Sequence, residues 1–106
     1  PVNQVDGEHD LFGDGSVVCI PTYGHTPGHQ SLKVRTEAGE IVITGDACYF
    51  CRTLRERRLP RFVYDREQML ASLDRLEALE RGGARLFFGH DPDFWKGVPQ
   101  APIPAF

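Results

Sequence analysis

Apolar positions in the first half of the chain form short runs that are separated by polar, glycine-containing segments. The β-branched run of residues 16–20 predicts one strand, and the alternating polar and apolar positions of residues 31–35 predict a half-buried second one. Residues 41–44 are continuously apolar or β-branched, which predicts a third strand with both faces covered. Residues 37–40 have the length and the glycine of a hairpin connection. The pattern therefore predicts a sheet with further layers packed on it.

The second half of the chain predicts one long helix and one further strand. Asp65 and Gln68 have the spacing of a capping box, so the helix is predicted to begin just after Asp65. The pair Gly82-Gly83 is expected to end it. The apolar positions of this helix fall on one stripe: Met69, Leu70, Leu73, Leu76 and Leu79. We expect this stripe to pack in the core rather than against a cofactor, and residues 84–88 to form a short buried strand.

Three segments lack such periodicity and are predicted to be irregular. Residues 1–15 are polar and glycine-rich, which is typical of a surface loop, and His9 within them is predicted to be solvated. Residues 52–66 contain six arginines interrupted by acidic residues, so a solvated, mobile loop is favoured over a nucleic-acid patch. Residues 92–106 carry four of the eight prolines and are predicted to wrap an exterior surface, with Phe94 and Trp95 packing on the body.

Length and composition restrict the class of protein. A chain of 106 residues is long enough for one domain, and its 41% apolar and 25% charged residues are ordinary for a globular protein. The formal net charge of -3 gives no general attraction to nucleic acid or to an anionic membrane. No apolar run approaches the roughly 18 residues of a membrane-spanning helix. The start at Pro1, without a methionine or a basic-then-apolar leader, predicts a fragment or processed product without a signal peptide.

The cysteines predict a reducing compartment. Three of them, Cys19, Cys48 and Cys51, are too few for a disulfide framework, which favours a cytoplasmic location. Cys48 and Cys51 form a Cys-x-x-Cys pair, but a redox or zinc role requires a helix start or a second pair, and the sequence predicts neither. We therefore expect the spacing of this pair to be incidental.

Three residues that can bind metal each follow a glycine at the end or the start of a predicted strand. They are His29, Asp46 and His90. Side chains just outside a rigid sheet are where loops commonly carry chemistry. Two imidazoles and one carboxylate suit a borderline divalent cation, zinc foremost, with manganese, iron or cobalt as substitutes. The sequence therefore predicts that these three side chains belong to one metal site.

The donor set leaves the number of metal ions open. A single catalytic zinc takes three protein donors and a water, which the three side chains would satisfy. A carboxylate can also bridge two ions, and three side chains then supply only four of roughly eight bonds. The four histidines, His9, His25, His29 and His90, include no pair separated by one residue. The chain therefore contains no compact second cluster of ligands.

Three motifs together resemble the second half of the metallo-β-lactamase superfamily fold: residues 26–29 (TPGH), 44–46 (TGD) and 88–90 (FGH). The sequence around these motifs is similar to that of the N-acyl-homoserine lactone hydrolases, the quorum-quenching lactonases. The resemblance implies an α/β (α+β) fold, the C-terminal half of an αββα sandwich with a mostly antiparallel sheet and one long helix. Residues 1–106 would then form a single partial domain, and residues 92–106 its proline-rich wrapping tail.

The resemblance also implies roles for individual residues. His29 would complete a first metal site, His90 a second, and Asp46 would bridge the two zinc ions and take part in catalysis. Tyr49 matches a catalytic tyrosine whose hydroxyl contacts the lactone carbonyl or ring oxygen. His25 is not a ligand in that pattern and would orient the loop. The implied activity is opening of the lactone ring of N-acyl-homoserine lactones by a hydroxide held between two metals.

One part of the family pattern is absent from these residues. The His-x-His-x-Asp-His motif lies upstream in the full fold, so the site is expected to be incomplete and this chain alone inactive. A missing N-terminal half or another chain is expected to cover its apolar faces. Two alternatives stay open: another hydrolase of the superfamily, cleaving a thioester, an aryl ester or a phosphodiester, and a non-catalytic fragment that binds metal weakly or not at all. The expected partner is a small-molecule substrate rather than nucleic acid or membrane.

Overall fold

The computed structural model describes residues 5–100, which form one five-stranded sheet and three helices. The elements in chain order are β1 (His9–Asp10), β2 (Val17–Pro21), β3 (Gln30–Thr36), β4 (Gly39–Gly45), α1 (Cys51–Glu56), α2 (Arg66–Arg81), β5 (Arg85–Phe88) and α3 (Pro92–Lys96). The predicted strands and the long helix are all present, with boundaries within a residue or two of those expected. The mostly antiparallel sheet with one long helix is confirmed.

The order of the strands in the sheet is the order in the chain. Strands β1 to β4 pair antiparallel with their neighbours, and only β5 is parallel to β4. A parallel pair requires a long crossover, which α1 and α2 supply between β4 and β5. Because β5 runs in the same direction as β4, both strands end at the same edge of the sheet.

The two faces of the sheet differ in how they are covered. On the helix-covered face, Val42 and its register partner Leu86 are buried against Leu73 and Leu76 of α2. The helix begins as predicted, because the Asp65 carboxylate accepts the N–H of Gln68, and it ends at Gly82. The apolar stripe of α2 is thus core packing, as expected.

The opposite, open face contains Ile41, Ile43 and Phe87 and is only partly covered. Ile41 and Phe87 are buried with Val98 and lie against Phe94. Ile43, on the same face of β4, is 44% exposed. The prediction that both faces of this strand are covered therefore holds for Ile41 but not for Ile43 within the described residues.

The predicted loop of residues 1–15 contains a short strand. His9 and Asp10 form β1 and pair with Cys19 and Val18 of β2. The Asp10 carboxylate accepts the N–H groups of two glycines in the following turn, at 3.0 and 2.8 Å, which stabilises the return into β2. The loop prediction is wrong for these two residues because the pairing partner decides a strand this short. Residues 1–4 lie outside the described residues.

The predicted mobile loop of residues 52–66 begins with a helix, so that prediction is wrong for α1. Arg55 pairs in bidentate fashion with Glu80 of α2, at 2.7 and 3.0 Å. Arg57 follows the helix in a left-handed conformation (φ 57°) and its guanidinium lies 3.0 Å from Asp74. The acidic partners lie on α2, so the arginines hold the two helices together rather than meeting solvent alone.

The predicted tail contains the short helix α3 in its described part. Its N-cap is Asp91, whose carboxylate accepts the N–H of Phe94 at 3.1 Å. Trp95 Nε1 donates to the carbonyl of Phe88 at 2.8 Å, so this aromatic packs on the end of β5. The part of the tail after residue 100 lies outside the described residues. None of the helices within residues 5–100 is long and apolar enough to cross a membrane.

The Cys-x-x-Cys pair does stand at a helix start, contrary to the prediction, since Cys51 is the first residue of α1. Cys48 is fully buried, and burial raises the pKa of its thiol to about 12. A thiol with such a pKa is not ionised near neutral pH, which argues against redox chemistry at Cys48.

Candidate metal centre

His29, Asp46 and His90 meet at one edge of the sheet because of the strand directions. β3 runs antiparallel to β4, so His29, just before β3, lies beside Asp46, just after β4. β5 runs parallel to β4, so His90 reaches the same edge. The structure thus brings together the three residues that the sequence pattern singled out. Their roles as metal ligands stay predictions.

The side chain of Asp46 lies at the centre of this group. Its Oδ1 is 3.0 Å from Nε2 of His90, and its Oδ2 is 3.5 Å from Nε2 of His25. Its backbone N–H donates to Nε2 of His29 at 3.0 Å. Two imidazoles therefore flank the Asp46 carboxylate, and a third accepts the backbone N–H of the same residue. The family resemblance implies only loop orientation for His25, whereas in the structure its ring also faces the Asp46 carboxylate.

Two glycines allow the strand ends to approach so closely. Gly45 has a left-handed backbone (φ +59°), and a Cβ there would lie 3.2 Å from His29 Nε2. A Cβ on Gly89 would lie only 2.5 Å from the carbonyl oxygen of Gly45. The Gly-Asp and Gly-His pairs of the sequence therefore have a steric reason: a side chain at Gly89 would push apart the ends of β4 and β5, and one at Gly45 would press on the His29 ring.

The loop that carries His25 and His29 rests on the start of α2. The carbonyl of Gly24 accepts the N–H of Asp65 at 2.9 Å. A Cβ on Gly24 would lie 2.3 Å from the backbone nitrogen of Met69, so only glycine fits this contact. Among the described residues 5–100, Nδ1 of His25 is buried and has no hydrogen-bond partner. The helix thus fixes the position of the loop that delivers His25 and His29.

The surroundings of His29 favour its neutral form. Burial is the main cause that lowers the pKa of His29; the Asp46 carboxylate opposes this, and His25 lowers it further. A neutral imidazole keeps a lone pair that can bind a cation. Whereas His29 is half-buried, the side chain of His90 is 57% exposed.

Tyr49 lies directly beside the cluster. Its ring stands edge-on to those of His90 and His25, with centroids 4.5 and 5.8 Å apart. Burial, and secondarily the Asp46 carboxylate, raise the pKa of Tyr49, so the phenol keeps its proton at neutral pH. Tyr49 is therefore available as a hydrogen-bond donor at the edge of the cluster.

A cavity of about 380 Å³ is lined in part by Tyr49. Its volume is within the range of about 300 to 1,000 Å³ typical of small-molecule sites. Its lining residues are Tyr49, Phe50, Arg52, Thr53, Arg58, Leu59 and Pro60. The sequence does not predict this cavity, because its lining combines Tyr49 with residues of α1 and of the segment after it.

The donor atoms fit a divalent metal in kind but do not complete a site. Imidazole nitrogen and carboxylate oxygen suit zinc and its neighbours. Within residues 5–100, however, no group of three His, Cys, Asp or Glu side chains is arranged to hold an ion. The described residues therefore offer part of a metal centre.

Comparison with known proteins decides the family. Residues 1–90 match the family model of the metallo-beta-lactamase superfamily. The chain belongs to this superfamily. It is 39% identical over 101 residues to the N-acyl homoserine lactonase AttM of Azorhizobium caulinodans, covering 93% of this chain and 38% of that protein. It is 35% identical over 89 residues to the N-acyl homoserine lactonase AiiA of Bacillus thuringiensis subsp. kurstaki, covering 82% of this chain and 34% of that protein.

Solved structures of the superfamily agree with the fold. An N-acyl homoserine lactone hydrolase with N-hexanoyl-L-homoserine bound at its catalytic metal center superposes with a TM-score of 0.81 at 33% identity, covering 93% of this chain and 39% of that one. AidC, a dizinc quorum-quenching lactonase, has a TM-score of 0.65 at 21% identity over 89% of this chain and 34% of its own, and this likeness concerns the fold alone. The chain thus spans about two fifths of the length of the relatives it matches, in their C-terminal part.

Proposed function

We propose that this chain forms the C-terminal part of a metal-dependent hydrolase that opens the lactone ring of N-acyl-homoserine lactones. The observation that carries the proposal is the meeting of His29, Asp46 and His90 at one sheet edge, with Tyr49 against the same cluster. Similarity to lactonases over more than nine tenths of the chain supports it. No feature of the described residues favours a thioesterase, aryl esterase or phosphodiesterase instead.

In this proposal His29, Asp46 and His90 contribute to a site for two divalent ions, zinc foremost. Oδ1 of Asp46 lies 3.0 Å from Nε2 of His90, the other proposed ligand on this side of the cluster. The metals, when bound, supply a Lewis acid and an activated water at neutral pH. The further donors would come from a His-x-His-x-Asp-His segment outside this chain.

Tyr49 has the role of hydrogen-bond donor to the substrate. Its phenol keeps its proton at neutral pH and lies at the boundary between the cluster and the cavity. A donor placed there stabilises the negative charge that develops on the carbonyl oxygen or on the leaving alkoxide. Removing such a donor typically costs about a hundredfold or more in turnover.

The open face of the sheet fits an additional layer. Ile43 is 44% exposed between the buried Ile41 and the edge that carries Asp46. Because 44% of Ile43 is still exposed, covering the remainder contributes about 1 kcal/mol. We propose that an N-terminal half, or another chain in its place, covers this face and supplies the remaining ligands.

The free cysteines fit a cytoplasmic location.

The test is Tyr49→Phe in the full-length protein that contains this chain. We expect lactone turnover to fall about a hundredfold with bound metal unchanged, as measured by N-hexanoyl-homoserine lactone hydrolysis and elemental analysis. Tyr64→Phe is the matched control, because Tyr64 is 65% exposed. Equal turnover of Tyr49→Phe and wild type would refute the role of Tyr49. Faster cleavage of a glutathione thioester, an aryl ester or a phosphodiester than of any lactone would refute the substrate class.

A further inference from the structure

Two buried hydroxyl groups, those of Thr22 and Ser31, form a series of hydrogen bonds that begins at His29. Thr22 is 0% exposed and Ser31 is 1% exposed. Thr22 Oγ1 lies 3.0 Å from Nδ1 of His29 and 2.8 Å from Ser31 Oγ. Ser31 Oγ in turn donates to the carbonyl of Thr44 at 3.0 Å. The hydroxyl groups touch the cluster through His29, and neither of them takes part in the proposed chemistry.

The groups at the two ends of this series of hydrogen bonds determine where every proton lies. At one end the Asp46 N–H can only donate, so Nε2 of His29 accepts and the proton of the neutral ring is on Nδ1. Nδ1–H therefore donates to Thr22 Oγ1. At the other end a carbonyl can only accept, so the Ser31 proton points to it and Thr22 donates to Ser31.

The hydrogen bonds form a closed loop on the end of β4. The carbonyl of Thr44 and the N–H of Asp46, two residues apart, are its two ends, and three side chains connect them. The backbone N–H of Thr22 also donates to the carbonyl of His29 at 3.1 Å. His29 is thus held at its backbone and at its ring by one residue, and any other tautomer would break at least two of these bonds.

We propose that Thr22 and Ser31 are positioning residues that hold His29 in the Nδ1–H tautomer and aim the lone pair of Nε2 at the end of β4. The inference rests on the proposed metal role of His29 for its importance, but not for its geometry. Second-sphere partners of this kind commonly contribute tenfold to a hundredfold to metal affinity. Packing alone would not require hydroxyls, since valine and alanine have nearly the same shapes.

The experiment compares Thr22→Val with Thr22→Ser and Thr36→Val in the full-length protein. Thr36→Val is the matched control, because Thr36 Oγ1 donates to the carbonyl of Gly39 in a hairpin away from His29. Nitrogen-15 correlation spectra of the metal-free protein report the tautomer of His29. Chelator competition reports the affinity for Zn²⁺. Ser31→Ala removes the next hydroxyl in the same series of hydrogen bonds. It provides a second variant should Thr22→Val not fold.

We expect wild type, Thr22→Ser and Thr36→Val to show His29 as the Nδ1–H tautomer. Thr22→Val and Ser31→Ala should show a mixture of tautomers and bind Zn²⁺ tenfold to a hundredfold more weakly. An unchanged His29 tautomer in both variants, or Nε2–H in wild type, would overturn the inference. A changed tautomer in a protein that binds no Zn²⁺ would support the positioning role while refuting the proposed metal function.

Discussion

Gly89→Ala tests whether the closeness of two strand ends forms the site. The added Cβ would lie 2.5 Å from the carbonyl oxygen of Gly45, whereas ordinary contact begins at 3.4 Å, so the backbones must separate by about 0.9 Å. Both contacting groups are backbone, and no side chain can rotate away. Overpacking of this kind costs about 1 to 3 kcal/mol of unfolding free energy.

The same movement acts on His90, a proposed metal ligand, because His90 follows Gly89 directly. If the whole separation passes to His90, its 3.0 Å contact with Asp46 is lost as a hydrogen bond. A misplacement of about 1 Å in a catalytic group can lower turnover about a hundredfold. We therefore expect Gly89→Ala to lose stability and, in the full-length protein, metal occupancy and lactone turnover as well.

Urea unfolding gives the stability, and elemental analysis and lactone hydrolysis give the effect on the site. Gly28→Ala is the matched control, because Gly28 precedes His29 as Gly89 precedes His90, yet a Cβ on Gly28 meets nothing within 4 Å. Stability of Gly89→Ala within about 0.5 kcal/mol of wild type, together with full turnover, would refute this reasoning.

Two further changes test the packing next to the site. The carboxylate of Asp91 accepts the N–H groups of Cys51 and Phe94, so Asp91→Ala should lose about 2 kcal/mol in urea unfolding, at about 1 kcal/mol for each cap. Asp93→Ala, at a side chain 92% exposed, should lose less than about 0.5 kcal/mol, and an equal loss in both would contradict the shared cap. Iodoacetamide at neutral pH should alkylate Cys51 before Cys48, whose buried thiol has its pKa raised to about 12. Peptide mass spectrometry measures the order, and equal rates would contradict the burial of Cys48.

Features that depend on neighbours in the chain were predictable. The capping box of α2 joins residues three apart, so Asp65 marks the helix start in any tertiary setting. The strands β2 to β5 follow from their apolar runs and their glycines. The directions of those strands then bring His29, Asp46 and His90 to one edge, which is why a pattern of glycine followed by a ligand was informative.

Features that join distant parts of the chain could not be predicted from local patterns. The helix α1 has no side-chain cap of its own, and its first N–H is accepted by Asp91, 40 residues later. Without knowledge of that partner, and of Glu80 facing Arg55, the arginine-rich segment reads as a loop. The same holds for β1, since a two-residue strand exists only through its pairing with β2.

The residues of this chain by themselves therefore determined the strands β2 to β5, the long helix and the choice of His29, Asp46 and His90 as candidate donors, because each is encoded by local periodicity or by a glycine at a strand end. Only the tertiary structure decided how those donors are held: His25 against Asp46, Thr22 and Ser31 behind His29, and the cavity beside Tyr49. The physical reason is that a hydrogen bond acts over about 3 Å of space, whatever the number of residues between its partners.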